Sequence, residues 1–141
     1  MVIAFLPNFE LVSFLVIIFT LYLKKMTIPI IAVFVLLEGI TYGFGIWWIS
    51  YIYIWYILAL LTYCFRRIKS LLFWAVFSCL FGLSFGTLTA IPYLFISNLT
   101  FTVSYIISGF PFDIAHAAGN LLIMLILYMP MSKLLKKLIR A

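Results

Sequence analysis

The sequence predicts an all-α integral membrane protein, a single-domain bundle of five transmembrane helices. Two observations carry that expectation. Of the 141 residues, 68% are hydrophobic and 9% charged, with a mean hydropathy of +1.33. A soluble domain is only about half apolar and about a quarter charged. A chain this short cannot hide so much apolar surface from water, so its solvent is lipid. The second observation is the placing of the nine basic residues, which cluster at the ends of apolar runs. That is the habit of cytoplasmic loops, so the net charge of +6 points to membrane orientation rather than to nucleic acid.

The expected helices cover about 9–24, 28–45, 46–65, 70–92 and 111–130. The first ends at Lys24 and Lys25. The second is interrupted only by Glu38. The third stops at Arg66, Arg67 and Lys69. The fourth runs to Pro92, and the last starts at Pro111 and ends near Pro130, before Lys133, Lys136, Lys137 and Arg140. Roughly 20 helical residues span the ~30 Å hydrocarbon core. Backbone groups in lipid must bond within their own segment, and these runs lack the alternation of barrel strands. The polar-speckled residues 93–110 are expected as an external or interfacial segment. Residues 1–6, "MVIAFL", are too few to span and read as the tail of a helix.

With the basic clusters inside, the C-terminus is cytoplasmic and every acid falls in the outer half. Glu10 is at the outer mouth of the first helix, and Glu38 is about 10 Å below the outer end of the second. Asp113, His116 and Asn120, spaced i, i+3, i+7, share one face of the last helix. Asp113 has two readings, a cap for a helix starting at Pro111 or part of a site. His116 and Asn120 have no capping role, and polar groups at that depth face protein or a wet cavity. Glu38 must be partnered, hydrated or protonated; a structural hydrogen bond to a neighbouring helix is its plainer reading.

Aromatic residues crowd the same level. Trp47, Tyr51 and Trp55 line up at i, i+4, i+8, with Trp48 turned about 100° away. They form an interfacial belt or, where they face inward, an aromatic box for a planar or cationic molecule. Ser78, Gly82, Gly86 and Ala90 make a small-residue stripe suited to close helix packing. Cys64 and Cys79 lack CxxC spacing and read as packing residues. No secretory signal pattern is evident. One histidine without a second His or Cys makes a poor metal site, no nucleophile motif occurs, and no phosphate loop is present. The expectation is therefore a non-enzyme without a cofactor.

"GFPFDIAHAAGNLL", followed by an apolar run and "MPMSKLLKKL", resembles the last helix of S components of energy-coupling factor (ECF) transporters. "FLPNFELVSFLVIIFTLYL", "FVLLEGITYGFGIWWISYIYIW" and "FGLSFGTLTAIPYL" are similar to other stretches of that family. The resemblance implies a bacterial cell-membrane protein that captures a vitamin-like micronutrient at the outer face. It also implies partnership with a transmembrane coupling protein and two ATPase subunits. Residues 7–10, 46–51 and 93–110 would match the family's external loops. The family has six helices, so its first would precede Pro7 and be missing or truncated here.

The resulting substrate-binding set is Glu10, Glu38, Trp47, Trp48, Tyr51, Trp55, Asp113, His116 and Asn120. Three acids and no outer base favour a neutral or cationic ligand, and Glu38→Gln is expected to weaken a cationic one. The alternatives are an ion or proton pathway through Glu38, His116 and Asp113, or a small structural subunit of a membrane complex.

Overall fold

The computed structural model describes residues 11–140, which hold five α-helices and no strand. In order these are α1 (Val12–Leu23), α2 (Thr27–Tyr42), α3 (Ile46–Phe65), α4 (Leu71–Ile96) and α5 (Leu99–Arg140). Four apolar helical stretches are long enough to cross a membrane: Val12–Tyr42, Ile46–Phe65, Leu71–Ile96 and Leu99–Ile139. The exterior agrees with that solvent, since Leu72, Phe95 and Ile126 are 67%, 85% and 68% exposed. A water-soluble surface would not leave so many large apolar side chains uncovered.

The stretch Val12–Tyr42 is interrupted by a 3-10 turn, Lys24–Met26, where Lys24 takes a positive φ of 54°. Val12, Val16 and Phe19 of α1 then line one crevice with Ile31 and Phe34 of α2. The two short helices thus fold back on each other. Gly43 closes α2: its N–H bonds the Gly39 carbonyl at 2.9 Å and its φ of 93° suits a residue without Cβ. Ser70 caps α4, accepting the Phe73 N–H at 3.3 Å.

Residues 93–110, expected as an external segment, are mostly helical. α4 continues through Pro92 to Ile96, and α5 begins at Leu99 after a turn at Ser97 and Asn98. Asn98 caps α5 by accepting the Phe101 N–H at 2.8 Å. This removes the capping reading of Asp113, which lies about four turns inside the helix. At ~1.5 Å per residue, the 42 residues of α5 reach about 63 Å, twice the hydrocarbon thickness.

Proline inside α4 is accommodated by α3. Pro92 lacks an N–H, which frees the carbonyl four residues earlier, at Leu88. The Tyr53 hydroxyl donates to Leu88 O, and the Ser50 hydroxyl donates to Thr89 O at 3.2 Å. In lipid a freed carbonyl needs such a partner.

The most extensive pairing is between α4 and α5. The stripe Ser78, Gly82 and Gly86 lies along this seam. A Cβ on Gly82 would sit 2.8 Å from the Ala117 backbone, so the helices approach to a distance only glycine permits. Below the seam a core of Phe14, Ile17, Ile54, Trp55, Leu58 and Trp74 is shared by α1, α3 and α4.

The basic residues gather at one end. Arg66, Lys69, Lys133 and Lys136 line one cleft there. Lys24 and Lys25 line a neighbouring one with Tyr63, whose ring lies 3.7 Å from the Arg66 guanidinium carbon.

Candidate functional site

The opposite end holds a cavity of about 570 Å³ between α3, α4 and α5. From α3 come Trp47 and Tyr51. From α4 come Phe85, Gly86, Thr89 and Tyr93. α5 supplies Tyr105, Ser108, Gly109, Phe112, Asp113 and His116. Among the described residues no Lys or Arg lines it. Its volume is that of an ordinary small-molecule pocket, ~300–1,000 Å³.

Two polar side chains define its chemistry. Asp113 is 5% exposed, and one carboxylate oxygen accepts the Gly86 backbone N–H at 2.9 Å. A Cβ at position 86 would collide with that carboxylate, so glycine is what admits it. His116, one turn further on, is 6% exposed and its Nε2 has no hydrogen-bond partner among the described residues. Its ring meets Phe85 edge to face, with centroids 4.8 Å apart. His116 thus brings an unmet hydrogen-bonding group to the cavity wall.

The walls are aromatic. Trp47 and Tyr51 stand edge to face at 5.3 Å, and Tyr93 and Tyr105 tilt together at 4.8 Å. Such a box presents ring faces to planar or cationic guests.

Of the residues expected to bind a ligand, Trp47, Tyr51, Asp113 and His116 converge on this cavity. Trp55 does not line it: it is fully buried beneath, 5.4 Å from Tyr51 and 5.7 Å from Phe85. Its role is to support those two walls. Trp48 turns to α2, donating its indole N–H to the Val35 carbonyl at 2.8 Å. Asn120 is tied across the seam. Its amide donates to the Ser78 carbonyl at 3.1 Å, and its own carbonyl accepts the Ser78 hydroxyl at 3.3 Å. Glu38 is partly exposed on α2 and does not reach the cavity. The three-acid site shrinks accordingly, because α2 packs mainly on α3 and lies apart from the α4–α5 pair. Glu10 falls outside the described residues.

Eight of the twelve lining residues lie outside the expected binding set. Thr89 and Tyr93 extend the face of Gly86 on α4, while Tyr105, Ser108 and Phe112 extend the face of His116 on α5. The signal was present: Tyr105, Ser108, Phe112 and His116 recur at helical intervals of three and four. Reading the polar-speckled residues 93–110 as an external or interfacial segment hides it.

The architecture is that of a multi-pass helical membrane protein, with a polar-lipped aromatic cavity at the end away from its cations. No family profile, curated protein or solved structure matches the chain. Among the described residues no cluster of His, Cys, Asp or Glu could hold a metal ion.

Proposed function

We propose that this protein captures a small neutral or cationic, partly aromatic solute at the outer face of a bacterial cell membrane. The role is that of the substrate-binding S component of an ECF-type importer of vitamin-like micronutrients. The observation that carries the reading is the cavity itself: one carboxylate, one imidazole and a set of aromatic side chains, with no cation among its walls in the described residues. Asp113 supplies the charge for a cationic group, Trp47, Tyr51, Tyr93 and Tyr105 stack on its planar part, and His116 fixes orientation by a hydrogen bond.

The membrane arrangement follows from the basic clusters. With Lys24, Lys25, Arg66, Arg67, Lys69 and the C-terminal group inside, the turns after α1 and α3 and the end of α5 lie at the inner side and the cavity opens outward. The energy for release to the interior comes from a coupling membrane protein and its two ATPases, since this sequence has no phosphate-binding loop.

The test is mass spectrometry of small molecules retained by the detergent-purified protein, followed by direct binding of the compound found. Asp113→Asn keeps an acceptor for Gly86 N–H but removes the charge. It is expected to weaken a cationic ligand about tenfold, the scale of a desolvated charge or cation–π contact. Absence of any saturable solute, with a pH-dependent ion current in liposomes instead, would overturn the proposal.

A further inference from the structure

The cleft at the basic end is a second built site. Its volume is about 440 Å³, and it is lined by Arg66, Lys69, Lys133 and Lys136, with Leu21, Tyr22, Ile68, Tyr128, Met129 and Ser132 completing the wall. Among the described residues no acid lines the cleft with these four cations. All four are exposed, so water screens their mutual repulsion, and together they give the cleft a positive potential that draws an anion.

The walls are held in place before anything binds. The Trp74 indole N–H donates to the Ile68 carbonyl at 3.0 Å, which fixes the turn between α3 and α4 that carries Arg66 and Lys69. The Arg66 guanidinium rests on the Tyr63 ring.

Ser132 gives an independent indication. It is 5% exposed, and its hydroxyl has no hydrogen-bond partner among the described residues. Thr20, Thr62, Ser84 and Ser104 instead donate to a carbonyl one turn back in their own helices. A buried hydroxyl that forgoes that bond beside four cations is a donor awaiting an acceptor.

We infer that this cleft binds the phosphate of an anionic phospholipid headgroup, held by Arg66, Lys69, Lys133 and Lys136 and bonded by the Ser132 hydroxyl. A lipid fits better than a soluble phosphate because Leu21, Ile68 and Met129 place apolar surface beside the charges. The cleft lies where the apolar runs of α3 and α5 give way to basic residues, and basic pockets between helices at such ends favour anionic lipids. The inference needs only that the bundle lies in a membrane; it is independent of what the opposite cavity binds.

The test is native mass spectrometry of the detergent-purified full chain titrated with phosphatidylglycerol, phosphatidylcholine or inorganic phosphate. Phosphatidylglycerol is expected to bind at least about tenfold more tightly than phosphatidylcholine, given about fivefold per neighbouring cation. Arg66→Gln with Lys133→Gln should weaken it about twentyfold on the same scale. Lys24→Gln with Lys25→Gln, an equal charge change outside the cleft, should cost no more than about twofold to threefold. Ser132→Ala should weaken binding about threefold at an unchanged melting temperature. Equal loss in the two double variants would reduce the effect to general surface charge and overturn the site. Displacement of the lipid by low-millimolar inorganic phosphate would overturn the lipid assignment.

Discussion

The carboxylate of Asp113 is bonded to the backbone of Gly86 across the seam between α4 and α5, at 2.9 Å from the Gly86 nitrogen. Two polar groups that would each be costly in lipid thereby satisfy one another, and the bond holds the acid at the cavity wall. The contact depends on the missing side chain at 86, where a Cβ would overlap the carboxylate oxygens. Gly86→Ala is therefore expected to destabilise the protein by about 1–3 kcal/mol and to weaken solute binding, because the acid must move. Thermal unfolding in detergent and a binding isotherm measure the two effects; a fully native isotherm would show that Asp113 has no fixed role in the cavity.

The glycines of the seam and of the cavity mouth should respond in opposite directions. A Cβ at Gly82 meets the Ala117 backbone at 2.8 Å, whereas one at Gly109 meets nothing within 4 Å. Gly82→Ala is expected to cost about 1–3 kcal/mol, since backbone cannot yield as a flexible side chain does. Gly109→Ala should be neutral or stabilising by up to about 1 kcal/mol, the helix preference of alanine over glycine. Melting temperatures of the two variants decide; equal values would contradict the close approach.

Tyr53 and Pro92 should be thermodynamically coupled. The tyrosine hydroxyl serves the Leu88 carbonyl that the proline leaves without a donor. Tyr53→Phe alone should destabilise by about 1–2 kcal/mol, the cost of an orphaned polar group. In a Pro92→Ala background the helix restores its own bond, so the same change should cost only a few tenths of a kcal/mol. A double-mutant cycle on unfolding measures the coupling, and strict additivity would remove the link.

Trp47 and Trp48 are adjacent in sequence and should separate in function. Trp47 lines the cavity, while Trp48 donates to Val35 on α2. Trp47→Ala should weaken solute binding about tenfold or more by loss of a stacking face. Trp48→Phe should lower stability by about 1 kcal/mol and leave affinity within about twofold. Glu38→Gln should also leave affinity within about twofold, since Glu38 stands apart from the cavity. That reverses the expectation drawn from charge alone.

Helical class, apolar exterior and the gathering of cations at one end were legible in the sequence, because lipid solvation imposes long apolar runs and Lys and Arg mark their ends. Asp113 and His116 were legible too: polar side chains in such runs are rare enough to stand out. Asn120 stood out equally, yet it bonds Ser78 across the seam, and one chain position does not say which helix its face will meet. Glu38 stands out in the same way, yet it lies outside the lining of this cavity. Depth can be read from sequence position, but the lateral order of helices cannot, and α2 packs away from α5. Tyr93 and Tyr105 fall in the segment 93–110, whose scattered polar residues read as a loop, and nothing sets Phe112 apart within the apolar run that begins at Pro111. In α4 the carbonyl freed by Pro92, that of Leu88, is satisfied by Tyr53, and such a distant partner is invisible along the chain.

The central claim is that the aromatic cavity and the basic cleft face opposite sides of a membrane. The direct measurement is cysteine labelling of intact cells with a bulky, membrane-impermeant maleimide, in a Cys64→Ser, Cys79→Ser background. Ser108→Cys, at the exposed wall of the cavity, is expected to react from outside, and Lys136→Cys only after the membrane is permeabilised. Labelling of Lys136→Cys in intact cells, with Ser108→Cys protected until lysis, would invert the molecule and contradict solute capture from the exterior.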